Sequence, residues 1–319
     1  MLTLDGVSKV YKVGTFGGKE LPAVRNVSFD VAAGEVVSLI GESGSGKTTV
    51  GKMILRLIGI TDGRIDLDGN DISAIKGRDL KAYYRKVQGV FQDPFSSFNP
   101  MFKADHVLGM MRDEYFSGVP AADWASKVEA SLEAVSLNPG QVLNKYPHQL
   151  SGGQLQRLLI ARALLLDIEF LVADEIISML DASTRIDVLN LLGELKARGL
   201  GILFITHDLS LGNYISEKTV ILRRGAVVEM GATDKVFGTP LHPYTRLLIG
   251  SVPQLHKKWD EVEAELKTKG GERVRGCLFH EMYPRTREAV GPDGEAPTLA
   301  KAEDDHFVAC FQLDSEGTC

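Results

Sequence analysis

Cysteine is scarce: Cys277, Cys310 and Cys319 are the only three in 319 residues, and all fall in the last fifth of the chain. An odd count at wide spacing builds no disulfide framework and fits a reducing compartment. Long apolar runs are missing as well. The richest, Leu158 to Leu166, carries Arg162 and is followed by Asp167. It therefore reads as a buried helix, since a membrane span needs about 20 apolar residues. The opening Met1-Leu2-Thr3-Leu4-Asp5 lacks the basic and apolar regions of an export signal, so the expectation is a chain that stays on the cytoplasmic side. Basic excess is absent too. The formal net charge is −6, which disfavours a general nucleic-acid binder.

What the sequence does have is an alternation of strands and helices. Leu2–Leu4, Val27–Val31, Arg64–Gly69 and Val87–Phe91 carry strand patterns. Val36-Val37-Ser38-Leu39-Ile40 is apolar almost throughout, as a strand buried on both faces should be. A helical pattern follows it through Thr49, Val50, Met53, Ile54 and Leu57. From about Asp93 to Leu166 helices with Pro, Gly and Ser punctuation predict a helical subdomain. Strands return at Phe170–Ala173 and Gly201–Thr206 with a helix, Arg185–Arg198, between them. That order implies a right-handed crossover and a parallel sheet. A hairpin is expected over Thr219–Met230, turning at Arg224-Gly225. Beyond Gly238 periodicity weakens, and Thr268–Lys301 is expected to be rich in loops.

Three motifs carry chemistry. Gly41-Glu42-Ser43-Gly44-Ser45-Gly46-Lys47-Thr48, with Thr49 behind it, fits G-x4-G-K-[ST] between a buried strand and a helix. Its glycines let backbone N–H groups face a phosphate, Lys47 reaches the β- and γ-phosphates, and Thr48 offers a hydroxyl to Mg²⁺. The apolar strand Phe170–Ala173 ends in Asp174 and Glu175. Asp174 suits Mg²⁺ and Glu175 suits polarisation of an attacking water. Leu150-Ser151-Gly152-Gly153-Gln154 opens a helix, with Ser151 as its cap and two glycines leaving bare N–H groups at the positive end.

Together these motifs make the chain resemble the nucleotide-binding subunit of an ATP-binding cassette (ABC) transporter over roughly residues 1 to 235. The resemblance implies an α/β P-loop fold with a mixed sheet core, an inserted helical subdomain (about 93–166) and a C-terminal extension (238–319) after an ATPase domain (1–237). It also implies a dimer in which Leu150–Gln154 binds the γ-phosphate of ATP held by the opposite subunit. Gln92 matches the glutamine that senses Mg²⁺ and water, and His207 the switch histidine on the γ-phosphate. Ser178-Met179-Leu180-Asp181 matches the D-loop, and Tyr11 the aromatic that stacks on adenine. One departure stands out. The family has Pro-Thr after the catalytic Glu, where this chain has Ile176-Ile177, which puts the D-loop geometry in question.

Phe91–Pro100, Tyr146-Pro147-His148-Gln149 and Pro240-Leu241-His242-Pro243-Tyr244-Thr245-Arg246 are similar to the oligopeptide/dipeptide/nickel permease subunits, and to the dipeptide-type "F" ATPase in particular. That similarity implies a second, different ATPase subunit, two membrane-spanning permease subunits and an extracytoplasmic solute-binding protein, with peptides as cargo and oligosaccharides or nickel as the alternative. The expected ligands are ATP and Mg²⁺. The subfamily's extension commonly carries four cysteines for an iron–sulfur cluster. Here Gly276-Cys277 and Val308-Ala309-Cys310 remain, while the middle positions fall near Tyr283 and Val290 and Cys319 is off-pattern. Four thiolates are the usual requirement, so no cluster is expected.

Overall fold

The computed structural model describes residues 1–14, 18–251 and 298–309. The chain begins with β1 (Leu2–Val13), β2 (Lys19–Val31), β3 (Val36–Ile40), α1 (Lys47–Ile54), β4 (Asp62–Leu67) and β5 (Asn70–Asp71). Then come α2 (Gly77–Tyr84), β6 (Val87–Val90), α3 (His106–Tyr115), α4 (Ala121–Glu133), α5 (Pro139–Val142) and α6 (Gly152–Leu164). They are followed by β7 (Phe170–Asp174), α7 (Ala182–Ala197), β8 (Gly201–Thr206), α8 (Leu209–Ile215) and β9 (Lys218–Arg223). The last are β10 (Ala226–Ala232), α9 (Thr233–Gly238), α10 (Pro243–Gly250), β11 (Leu299–Glu303) and β12 (His306–Ala309).

These elements gather into two units. The first takes Met1–Asp30, Val36–Ser73 and the chain from Ile205 onward; the second takes Val31–Glu35 and Ala74–Phe204. In the first unit one sheet runs β2-β1-β4-β5, antiparallel where β1 meets β4 and where β4 meets β5. A second run of strands has the order β11-β12-β10-β9-β3. There β3 lies parallel to β9, with Ile40 opposite Ile221, while β9/β10, β10/β12 and β11/β12 are antiparallel. The sheet is thus mixed, as expected. All five residues of β3 are buried, which is what its almost wholly apolar run demands.

The β9–β10 hairpin turns where the sequence placed it. Arg224 and Gly225 have φ of 47° and 86°, the pair of left-handed residues that matches the strand twist in a two-residue hairpin. The second unit pairs β6 with β7 in parallel, with Val90 opposite Ala173. Its helical part buries Trp124, Val128 and Leu132 of α4 and Leu155, Leu158 and Leu159 of α6. The run Leu158–Leu166 is indeed a buried helix and its end. Among the described residues no helix is long and apolar enough to cross a membrane.

Several boundaries differ from expectation. Strands β1 and β2 extend well beyond Leu2–Leu4 and Val27–Val31, because pairing across the sheet carries polar stretches that periodicity alone does not mark. Strand β6 stops at Val90, one residue early. Strand β4 starts at Asp62, and Asp68-Gly69 is its turn, with φ of 51° and 79°. Helix α7 starts at Ala182 because Asp181 caps it there. Leu57 lies beyond α1 and is exposed. The hairpin β11–β12 begins in the last three residues of the segment expected to be loop-rich, runs on past it, and extends β10, with Gly231 opposite His306. Cys277, Cys310, Cys319, Tyr283 and Val290, and with them the expectation about a cluster, lie outside the described residues.

Candidate nucleotide site

In the first unit the phosphate loop leaves the carboxyl end of β3 and enters α1. Its conformation depends on glycine. Gly44 and Gly46 have φ of 80° and 107°, values that L side chains rarely adopt. A Cβ on Gly41 would lie 2.1 Å from the Leu222 carbonyl oxygen, and one on Gly46 would lie 2.6 Å from that of Ala23. The loop is tied to the β9–β10 turn, since Gly225 N–H donates to Ser45 O at 2.8 Å and Arg25 N–H donates to Gly225 O at 2.8 Å.

Lys47 is the first residue of α1 and is buried. Its ammonium donates to the carbonyls of Gly41 at 2.7 Å and Glu42 at 2.9 Å. It is therefore folded back over the loop, above N–H groups at the positive end of the helix. The Ser45 hydroxyl is buried with no hydrogen-bond partner among the described residues. Such an orphan is rare in a native fold and fits a loop that accommodates an anion. Ser43 and Thr48 are exposed and Thr49 is half-buried.

His207 follows β8, exposed, just before the cap of α8. Asp208 holds that cap by accepting from the N–H groups of Ser210 at 2.9 Å and Leu211 at 3.3 Å. Tyr11 stands on β1, about one-third exposed, with Lys9 Nζ 5.2 Å from its ring centre. Its ring is thus available at a surface rather than committed to a core.

The second unit brings the acidic strand end and the glutamine together. The parallel register of Val90 with Ala173 sets Phe91 beside Asp174, so Gln92, Asp174 and Glu175 share the carboxyl edge of the β6–β7 pair. Asp174 is buried. Glu175 has φ of 51°, a left-handed conformation that costs a non-glycine residue about 1–2 kcal/mol. Ser178 supports it: its N–H and hydroxyl both donate to the Glu175 carbonyl, at 3.1 and 2.9 Å. Strain retained at a residue of this kind is a mark of functional sites.

Leu150–Gln154 forms a complete capping box. Ser151 Oγ accepts from Gln154 N–H at 3.2 Å, and Gln154 Oε1 accepts from Ser151 N–H at 2.9 Å. Gly152 and Gly153 then occupy the first two positions of α6. Leu150 is buried and anchors the approach.

Asp181 caps α7 through Thr184 N–H at 3.0 Å and takes the hydroxyls of Ser183 at 2.6 Å and Thr184 at 2.9 Å. Those bonds, led by the one from the Ser183 hydroxyl, hold its carboxyl well below the usual range. Arg185, not singled out from the sequence, donates to the carbonyls of Leu180 at 2.8 Å and Ser178 at 3.3 Å and so supports this loop. Its place in the first turn of a helix capped by Asp181 was the available signal.

No cluster of three or more His, Cys, Asp or Glu positioned to hold a metal occurs among the described residues.

The two units thus carry the parts of a P-loop nucleoside triphosphatase. Residues 24–178 match the family model described as ABC transporter, and residues 228–289 match the oligopeptide/dipeptide transporter C-terminal region. The chain is 41% identical over 273 residues to the oligopeptide transport ATP-binding protein OppF of Streptococcus mutans, covering 82% of this chain and 88% of that one. It is 37% identical over 320 residues to a putative peptide import ATP-binding protein of Brucella ovis, covering 98% of each. A dimeric structure of the ATP-binding cassette MJ0796 in a post-hydrolysis state with ADP and Pi covers 73% of this chain at 29% identity, with a TM-score of 0.65. The chain belongs to the ATP-binding subunits of ABC transporters, a family that binds and hydrolyses ATP.

Proposed function

We propose that this chain is the ATPase subunit of an importer for peptides, working at the cytoplasmic face of a membrane. The observation that carries this reading is that a phosphate loop and a capped Ser151-Gly152-Gly153 helix end share one chain with the oligopeptide-type C-terminal region. The relatives named for oligopeptide transport and peptide import support the cargo class. Residues 1–237 act as the ATPase domain, with its helical subdomain at about 93–166, and residues 238–319 as the extension.

In this reading ATP lies on Gly41–Thr49 with its adenine against Tyr11. Lys47 neutralises the β- and γ-phosphates, while Thr48, Gln92 and Asp174 are the residues that would hold Mg²⁺, whose charge would offset that developing on the phosphates. Glu175 accepts a proton from the attacking water and His207 contacts the γ-phosphate. The N–H groups of Gly152 and Gly153 face the nucleotide of a second ATPase subunit, which returns the favour at Gly41–Thr49. Asp181 lines the junction between the two. Membrane-spanning permease subunits and an extracytoplasmic solute-binding protein complete the machine.

The test is reconstitution of the chain with its permease subunits in vesicles. A peptide-loaded binding protein should raise ATP turnover. Glu175→Gln should retain ATP binding and lose turnover by about 100-fold or more, the scale of a general base. Unchanged turnover in that variant would remove Glu175 from the mechanism. Failure to assemble with permeases would remove the transport reading.

A further inference from the structure

The peptide unit joining Gly41 to Glu42 is held from both sides. Its carbonyl, that of Gly41, accepts from Lys47 Nζ at 2.7 Å. Its N–H, that of Glu42, donates to the Tyr244 hydroxyl at 3.3 Å. The close approach of Gly41 to the Leu222 carbonyl leaves that peptide little room to shift sideways. We propose that Tyr244 is a positioning residue for Lys47: by fixing the Gly41–Glu42 peptide it holds the ammonium where a phosphate meets it, and the helix that opens the C-terminal segment is thereby a working part of the phosphate loop. The inference rests on the assignment of Gly41–Thr48 to a nucleoside triphosphate.

Tyr244 is itself firmly placed. It is fully buried in a cluster with Ile40, Leu209, Ile221, Val228 and Val236. The Arg223 guanidinium lies 4.7 Å from its ring centre, within cation–π range. Its N–H donates to His242 Nδ1 at 3.0 Å, which caps α10. The N–H groups of Leu241 and His242 donate to the buried Glu229 carboxylate at 2.8 and 2.9 Å. The same carboxylate lies 2.8 Å from His306 Nε2 on β12. A continuous set of hydrogen bonds therefore runs from β12 through Glu229 and His242 to Tyr244 and the loop.

Protonation keeps this set intact at neutral pH. Burial, and then the positive charges of Arg223 and Arg246, push His242 down to about 3, so its Nδ1 stays an acceptor. Burial, and then the Glu42 charge, push the Tyr244 hydroxyl up to about 12, so it stays neutral. Phenylalanine at 244 would keep the packing and leave the Glu42 N–H without its acceptor.

The experiment is calorimetric titration of MgATP into the full chain as wild type, Tyr244→Phe and Thr245→Val. Thr245 is the next residue of the same helix, and its buried hydroxyl has no partner among the described residues. Tyr244→Phe should bind MgATP about three- to ten-fold more weakly, the range for losing one hydrogen bond. It should also shift the Glu42 amide resonance in 15N-labelled protein, while Thr245→Val leaves both readouts at the wild-type value. In the assembled transporter the change should appear in KM for ATP with kcat nearly unchanged. Equal affinity of Tyr244→Phe and wild type overturns the inference. So does an equal loss in Thr245→Val, which would make helix packing the cause. A wild-type chain that binds no MgATP would refute the nucleotide assignment itself, and this inference with it.

Discussion

Gly153 gives the sharpest mechanical test of the helix end at Leu150–Gln154. A Cβ there would fall 2.4 Å from Thr184 Cγ2 on α7, whereas non-bonded carbons settle near 3.5–4.0 Å. Roughly 1 Å has to be found. Thr184 cannot rotate away freely, because its hydroxyl donates to Asp181 Oδ2 at 2.9 Å while its N–H donates to Oδ1. Overpacking of this kind costs about 1–3 kcal/mol, and loss of the hydroxyl bond adds about 1 kcal/mol. Alanine recovers up to about 1 kcal/mol of helix propensity. Gly153→Ala should therefore destabilise the chain by about 1–3 kcal/mol, read as a lower urea midpoint by circular dichroism. Thr184→Ser keeps the hydroxyl and removes the clashing methyl, so the double variant should recover most of that loss. A coupling energy within about 0.3–0.5 kcal/mol of zero, the additive limit, would refute the contact as the constraint on Gly153.

Ser151→Ala removes the acceptor for Gln154 N–H and should cost about 1 kcal/mol of unfolding free energy; a change under a few tenths would mean that Ser151 is not needed as a cap. His306 carries a pH signature. Burial alone would lower its pKa, but hydrogen bonds to Glu229 and then Glu303 outweigh that and leave it raised, with Lys235 3.7 Å from the Glu303 carboxylate. Because the folded pKa lies above the unfolded one, its stabilisation is complete below about pH 6.5 and fades as pH rises through the folded value. The difference in unfolding free energy between wild type and His306→Gln should accordingly narrow as pH climbs, and a flat difference would contradict the sign.

The parts of the site that were legible in the sequence are those whose chemistry is local. Val36–Ile40 is apolar almost throughout because both faces are covered, and Gly41–Thr48 names its own backbone through Gly44 and Gly46. Arg224-Gly225 marked its hairpin because few residues tolerate two left-handed positions in a row. The hairpin of β11 and β12 was missed for the opposite reason. Its strands are only five and four residues long, Leu-Ala-Lys-Ala-Glu and His-Phe-Val-Ala, and its turn is made by Asp304-Asp305, with φ of 49° at Asp305, rather than by glycine. What fixes it is non-local: Asp305 O accepts from Ala232 N–H at 2.9 Å, and Gly231 leaves space where a Cβ would sit 2.2 Å from that same oxygen. Tyr244 was read only as part of a subfamily motif. Nothing in the spacing of Pro240–Arg246 says that its hydroxyl reaches a loop 202 residues away in sequence.

Ile176-Ile177 remains the one departure from the family pattern, and its geometry has a physical account. A Pro-Thr pair stiffens the backbone after the catalytic carboxylate; here stiffness comes from burial instead. Ile176 and Ile177 are 1% and 2% exposed, so both side chains are anchors. Ser178 closes the turn onto the Glu175 carbonyl, and Arg185 holds the carbonyls on either side of Met179. The left-handed Glu175 is then maintained by packing on one side and hydrogen bonds on the other. Ile177→Thr supplies the family's small polar residue without its proline, and burying that hydroxyl unpaired should cost about 1–3 kcal/mol. If unfolding free energy is unchanged in that variant, the second isoleucine is not an anchor and the stiffness of this loop has to come from Ser178 and Arg185 alone. If stability falls as expected, Ile177→Val, which keeps the β-branched shape and removes only one methyl group, should restore all but about 0.5–1.5 kcal/mol.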